Sequence, residues 1–232
     1  MPTVLLSIAM LVALVGGLAL AFGLVPGLGP PGPSPTPSPF VARSLPPGLA
    51  PPDATPLASP PAAPAGDGTE ATIETRLGNI VIELYTDSSP VAAHNFINLA
   101  EVGYFDGIVF HRLVPGFVIQ GGDPQGTGGG GPGYTIKDDA VVGEYVRGTV
   151  AMARPANQDG SAIPDSQGSQ FFIVLDDSVA QELPKSGLYA IFGNVVEGMD
   201  VVDQIAAMPA GGAGGQTALD PVVMDRVTIQ QP

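Results

Sequence analysis

The chain has 232 residues, with 22 acidic against 8 basic side chains and a formal net charge of −14, a balance that argues against nucleic acid as a partner. It has no cysteine, which excludes disulfides, thiolate metal sites and cysteine nucleophiles. Its 32 glycines and 26 prolines make up a quarter of the residues, a composition of loops plus a low-complexity segment.

Residues 4–25, VLLSIAMLVALVGGLALAFGLV, form an uncharged run of 22. That length crosses about 30 Å of hydrocarbon as a helix. The run reads as an uncleaved transmembrane signal anchor, with the rest of the chain on the extracytoplasmic side. The competing reading is a signal peptide cut after Ala19-Leu20-Ala21, which would make the protein secreted. Residues 26–68 contain 15 prolines among Ala, Gly and Ser. They read as a disordered, partly polyproline II spacer. The folded domain is then 69–232.

In that domain Ala71 to Leu77 alternates apolar and polar residues, Gly78-Asn79 turns, and Ile80 to Tyr85 returns as a partner strand. Ser89 reads as an N-cap and Pro90 as the first residue of a helix carrying Val91, Phe96, Leu99 and Ala100 on one face. Gly103 ends it. Phe110 to Leu113 and Phe117 to Gln120 read as two short strands around the turn Val114-Pro115-Gly116. They place Arg112 in apolar surroundings, where a charge must be paired or used. Residues 121–133, GGDPQGTGGGGPG, contain a G-x-G-x-x-G match at Gly126, Gly128 and Gly131. Pro132 and Gly133 follow where a dinucleotide site needs a helix, so the stretch reads as a close-packed loop. Strands follow at 148–153, 169–175 and 190–196, then a helix over Gly198–Met208, a glycine loop at 211–215 and a last strand over 222–229.

Chemistry is conspicuous by what is missing. His94 and His111 are the only histidines and lack a matching carboxylate cluster, so no metal site is expected. There is no G-x-S-x-G and no H-E-x-x-H. The doublets Asp138-Asp139 and Asp176-Asp177 read as solvated turn residues rather than a glycosidase pair. An enzyme built from this sequence would use neither metal, nucleophile nor an obvious acid–base pair, and no cofactor is expected.

Five blocks in order carry a resemblance: FHRLVPGFVIQGGD at 110–123, GTGGGGPGY at 126–134, GTVAMAR at 148–154, GSQFFIVL at 168–175 and YAIFGNVVEGMDVVDQI at 189–205. Over residues 70–231 the chain resembles the cyclophilin family of peptidyl-prolyl cis–trans isomerases, in particular its short bacterial members. The resemblance implies a mainly β fold, an eight-stranded antiparallel closed barrel capped by two α-helices. It implies Arg112 as catalytic arginine, with Phe117 and Gln120 beside it. It implies substrate contacts from His111, Met152, Ala153, Gln170, Phe172, Leu183 and Tyr189. Arg154 stands where eukaryotic members carry asparagine, and Tyr189 where they often carry histidine. The expected partners are proline-containing segments of folding proteins, bound by a monomer tethered to the membrane. A non-catalytic proline-binding module or chaperone on the same fold is the alternative.

Overall fold

A computed structural model describes residues 49–157, 161–180, 183 and 189–232. The expected anchor and the first part of the spacer lie outside the described residues. Among the described residues no helix is long and apolar enough to cross a membrane.

The strands are β1 (Glu70–Thr75), β2 (Gly78–Leu84), β3 (Arg112–Val114), β4 (Val118–Gly121), β5 (Thr149–Met152), β6 (Phe171–Val174), β7 (Ile191–Glu197), β8 (Ala210–Gly211), β9 (Thr217–Ala218) and β10 (Arg226–Gln230). Helix α1 spans Pro90–Glu101, α2 is a single turn at Asp177–Ala180, and α3 spans Met199–Ala206. Among the described residues all ten strands join one antiparallel sheet in the order β10-β1-β2-β7-β5-β6-β4-β3-β9-β8. This corrects the expected closed eight-stranded barrel. The two additional strands are the two-residue pieces β8 and β9, which prolong the sheet beyond β3. Closure is approached just before β3 and β10. There Phe110 donates to Val222 (3.0 Å), Gly107 to Met224 (2.7 Å) and Met224 to Ile108 (2.8 Å). The contact amounts to one isolated bridge, Val109 to Val223, so the ladder does not close.

The middle strands are buried on both faces, and alternation along each strand sorts the side chains into two clusters. Leu113, Ile119, Val150, Phe171 and Ile173 face the larger core. There Phe96 of α1 stacks on Phe105 at 4.7 Å and meets Phe171 edge-on at 5.4 Å. α3 adds Val201, Val202 and Ile205. Val114, Val118, Ala151, Phe172 and Val174 point the other way into a second, smaller cluster.

α1 begins at Pro90 as expected, but Ser89 makes no side-chain cap. Its capping acceptor is remote. The carboxylate of Asp139 accepts from the Ala92 backbone N–H (2.8 Å) and from the Ser89 hydroxyl (3.2 Å). Asp139 is therefore buried, not the solvated residue read from the sequence. The helix start suits it, because free N–H groups and the helix dipole both favour a carboxylate there. The doublet Asp176-Asp177 is exposed.

Residues 49–64 carry no helix or strand. From Ala65 the chain is tied to the sheet: the Ala65 N–H donates to the Ser88 hydroxyl (3.1 Å), and Asp67 donates to Thr86 (3.0 Å).

Candidate functional site

Strand register assembles the site. Arg112 lies opposite Gln120, Gln120 opposite Phe172, and Phe172 opposite Ala151. Directly opposed residues in an antiparallel sheet share a face. Arg112, Gln120, Phe172 and Ala151 thus form one row across β3, β4, β6 and β5. Val114, Val118 and Val174 lie beside it on the same face.

Leu183 is buried in this smaller cluster, and Phe117, Ala153 and Tyr189 pack partly buried against it. Phe172 meets the Tyr189 ring edge-on at 5.4 Å. Tyr145 holds Tyr189 from behind, its hydroxyl donating to the Tyr189 carbonyl (2.7 Å) and accepting from the Tyr189 N–H (2.8 Å). Burial pushes the Tyr145 hydroxyl up to about 12, so it remains a donor. The result is an apolar shelf with an arginine at its edge.

The polar part is a relay of amides. Arg112 donates through Nη1 to Gln120 Oε1 (3.1 Å) and through Nε to Gln216 Oε1 (2.8 Å). Gln120 donates to Gln170 Oε1 (2.9 Å). Gln170 in turn donates to the carbonyls of Gly128 (3.0 Å) and Gly130 (2.8 Å). Every partner of Arg112 in this relay is neutral, and among the described residues Arg112 makes no ion pair. Burial works against its charge and lowers its affinity for the proton.

The glycine loop is held from inside by Asp123. Its carboxylate accepts from the backbone N–H groups of Gln125 (2.7 Å), Thr127 (2.9 Å) and Gly128 (2.6 Å). Burial alone would raise its pKa, but these bonds and one from Gly130 outweigh it and hold the carboxyl below the usual range. A Cβ on Gly130 would stand 2.0 Å from the Asp123 carboxylate, which is why no other residue fits there. No helix starts in the loop.

Most of the expected residues meet here, with two exceptions. Met152 lies opposite Phe171 on the other face and is buried in the larger core. What this segment gives the shelf is Ala153, whose N–H donates to the Gln170 carbonyl (2.8 Å). His111 is 6 % exposed, and neither ring nitrogen has a hydrogen-bond partner among the described residues. Burial lowers its pKa, so the ring is neutral behind Arg112. The expectation of no metal site rested on there being two histidines. His94 is exposed on α1, and no group of three or more metal-ligating side chains occurs among the described residues.

Sequence reading missed Gln216, Val118 and Tyr145. Val118 had a signal: it is two residues before Gln120 on a strand and so shares its face. Gln216 had none, since it is 104 residues from Arg112 in a glycine loop.

The shelf, the unpaired arginine and the sheet together define a class of protein, and comparison with known proteins agrees. The family described as cyclophilin type peptidyl-prolyl cis-trans isomerase/CLD matches residues 71–230. A peptidyl-prolyl cis-trans isomerase of Arabidopsis thaliana is 39% identical over 163 residues, covering 68% of this chain and 94% of the relative. One from Acinetobacter baylyi is 40% identical over 156 residues, covering 66% and 80%. The crystal structure of a Cryptosporidium parvum cyclophilin type isomerase superposes with a TM-score of 0.61 at 29% identity, over 71% of this chain and 98% of that one. The same protein has been crystallised in the presence of the dipeptide Ala-Pro, with a TM-score of 0.60 at 30% identity. The chain belongs to the cyclophilin-type peptidyl-prolyl cis–trans isomerases. It is an isomerase of the bond preceding proline.

Proposed function

We propose that Arg112 accelerates rotation about X-Pro bonds by stabilising the twisted amide. The uncatalysed barrier, set by amide resonance, is about 18–20 kcal/mol, and exchange takes roughly tens to hundreds of seconds. No bond breaks, so no nucleophile is needed. As the amide twists, the proline nitrogen becomes pyramidal and its lone pair localises. A guanidinium held beside it donates a hydrogen bond that the planar amide cannot accept as well. Such an interaction is stronger in the transition state than in the ground state, which is the condition for catalysis.

The observation that carries this reading is the double anchoring of Arg112 by Gln120 and Gln216. It fixes the fork while leaving its charge unspent. The proline ring sits on Phe117, Val118, Phe172 and Leu183. Residues preceding the proline lie along Ala153 and Gln170, which hold one end of the peptide while the other turns.

The domain acts on exported proteins from a membrane tether. Support for the tether is the uncharged run 4–25, followed by the proline-rich spacer that gives reach. Membrane fractionation with sequencing of the mature N-terminus separates anchored from secreted forms.

The catalytic test is cis–trans exchange of a proline peptide, measured by NMR exchange spectroscopy with the full chain. Arg112→Ala should lose about 100- to 1,000-fold in kcat/KM, the usual loss for one transition-state donor. The variant should remain folded, with a melting temperature lowered by no more than a few degrees for the two amide hydrogen bonds it loses. Wild-type turnover in that variant would sink the mechanism.

A further inference from the structure

The family match begins at residue 71, yet the chain just ahead of it is built into the domain. Ala65 is hydrogen-bonded to the turn before α1. Its N–H donates to the Ser88 hydroxyl (3.1 Å), and its carbonyl accepts from the N–H groups of Asp87 (3.2 Å) and Ser88 (3.1 Å). Two residues on, the Asp67 N–H donates to the Thr86 hydroxyl (3.0 Å), and the Asp67 carboxylate accepts from the Thr69 N–H (3.0 Å). Between them Gly66 lies so close to the end of β2 that a Cβ would stand 2.0 Å from the Leu84 carbonyl oxygen and 3.3 Å from the Cα of Tyr85. The Pro64 ring lies against Gly143, where a Cβ would come within 2.6 Å of the ring's Cγ. Neither glycine has room for a side chain.

Both surfaces that this segment touches support the shelf. Tyr85 and Val141 are partly buried against the smaller cluster, which holds Val118, Phe172 and Leu183. Gly143 belongs to the stretch from Asp138 to Tyr145, which has no helix or strand, so side-chain contacts and not a ladder set its place. At its start Asp138 accepts from the side chains of Arg154 and Gln167, and Asp139 accepts from the first turn of α1. At its end Tyr145 grips Tyr189 by both backbone groups. Pro64 bears on the stretch between these two ends.

We propose that Pro64–Asp67 is a clasp that positions the proline shelf: by bearing on Gly143 and Tyr85 it sets the loop that carries Tyr145, and Tyr145 in turn sets Tyr189. Pro64 and Gly66 are thus positioning residues ahead of the span matched to the family. The clasp reaches the apolar wall and not Arg112, so it acts on the seating of the proline segment and not on the twisted amide. An interaction that serves ground state and transition state alike changes KM and leaves kcat alone. The inference rests on the assignment of the proline site to the shelf.

The test uses the full chain and catalysed exchange of a proline peptide read by NMR. Pro64→Gly takes the ring away from Gly143, and Gly66→Ala drives the clasp off β2. In each variant KM should rise about five-fold, the scale of one aromatic contact in the shelf, with kcat within about two-fold of the wild type. The Tyr189 amide resonance should shift in both, while the Arg112 Nε–H resonance stays in place. Tyr145→Phe should raise KM by a similar factor, and adding Pro64→Gly to it should change KM by less than about two-fold, because the path is already cut. Pro64→Gly decides the matter even where Gly66→Ala fails to fold. An unchanged KM, an unmoved Tyr189 amide, or full additivity of Pro64→Gly with Tyr145→Phe would each overturn the clasp while leaving the isomerase reading intact. Acceleration of no peptide by the wild type would overturn both.

Discussion

Arg112 and Arg154 are two guanidiniums withdrawn from water and held in opposite ways. Arg112 is gripped by the carbonyl oxygens of two neutral amides, Gln120 and Gln216. Arg154 is paired with the carboxylate of Asp138. The amides fix orientation without cancelling charge, which is the condition the proposed stabilisation of a developing lone pair requires. The carboxylate does cancel charge. The difference teaches how one fold holds the same side chain with its charge uncompensated at one place and neutralised at another.

The largest expected effect comes from exchanging the kind of cation at Arg112. Arg112→Lys keeps the charge but loses the planar fork, and a single ammonium on a flexible stem cannot be held by both amides at once. kcat/KM should fall about 100-fold, close to the loss from removing the side chain. Near-wild-type activity in Arg112→Lys would show that charge alone suffices and that the anchoring amides are incidental.

Next is the removal of the carboxylate behind Arg154. Asp138→Ala leaves a buried guanidinium uncompensated and frees the side chain of Gln167. Breaking a buried pair from one side costs about 3–5 kcal/mol. Asp138 is 24% exposed, so about 3 kcal/mol is expected in urea unfolding. The same measurement on Gln120→Ala and Gln216→Ala should show smaller losses of about 1.5 kcal/mol, the low end for a hydrogen bond to a charged group, since Arg112 keeps its other anchor. Equal losses at all three positions would erase the contrast between the two arginines.

Gln216 also bears on what a sequence discloses. FHRLVPGFVIQGGD displays its site because a strand alternates sides: Arg112 and Gln120 fall opposite each other once the Pro115-Gly116 turn sets the register. The same alternation, applied to GTVAMAR, would have sent Met152 to the core, and family likeness alone placed it in the site. Asp139 looked like a turn residue because its helix begins 49 positions earlier at Pro90, and a cap supplied across that distance leaves no local mark. Closure of the sheet was overread for a similar reason. Strand counts do not reveal whether the last edge meets the first through a ladder or through a single bridge. Gln216 sits in a segment whose glycines announce a turn and nothing more.

Removing Gln216 while keeping Gln120 therefore sharpens the comparison at its weak point. A hydrogen bond to a charged group contributes about 1.5–3 kcal/mol, and Arg112 retains its second anchor. A loss of about 10-fold in kcat is expected for Gln216→Ala, with KM little changed, and Gln216→Asn should restore part of it. In the double variant with Gln120→Ala the two losses should exceed their sum, because the fork is then held by neither side. Additive losses would mean that the amides act on the substrate rather than through Arg112.

The smallest effect concerns His111, whose neutral ring keeps a second cation away from Arg112. Burial lowers its pKa below the ordinary 6.5; nearby Asp123 opposes the shift and Arg112 adds to it. The unfolded chain therefore takes up this proton near pH 6.5, before the folded chain does. In that window the unfolded state binds more protons, so stability rises with pH and is lost as pH falls below about 6.5. Asp139 has the opposite sign. Burial raises its carboxyl above the ordinary 3.8, so its contribution grows as pH falls through the folded value. His111→Asn removes the first dependence and leaves the second. Thermal midpoints of the variant should vary less between pH 7 and pH 5 than those of the wild type. Identical slopes above pH 5 would mean that His111 takes up its proton in the folded protein at the same pH as in the unfolded chain, so that burial does not hold it neutral beside Arg112.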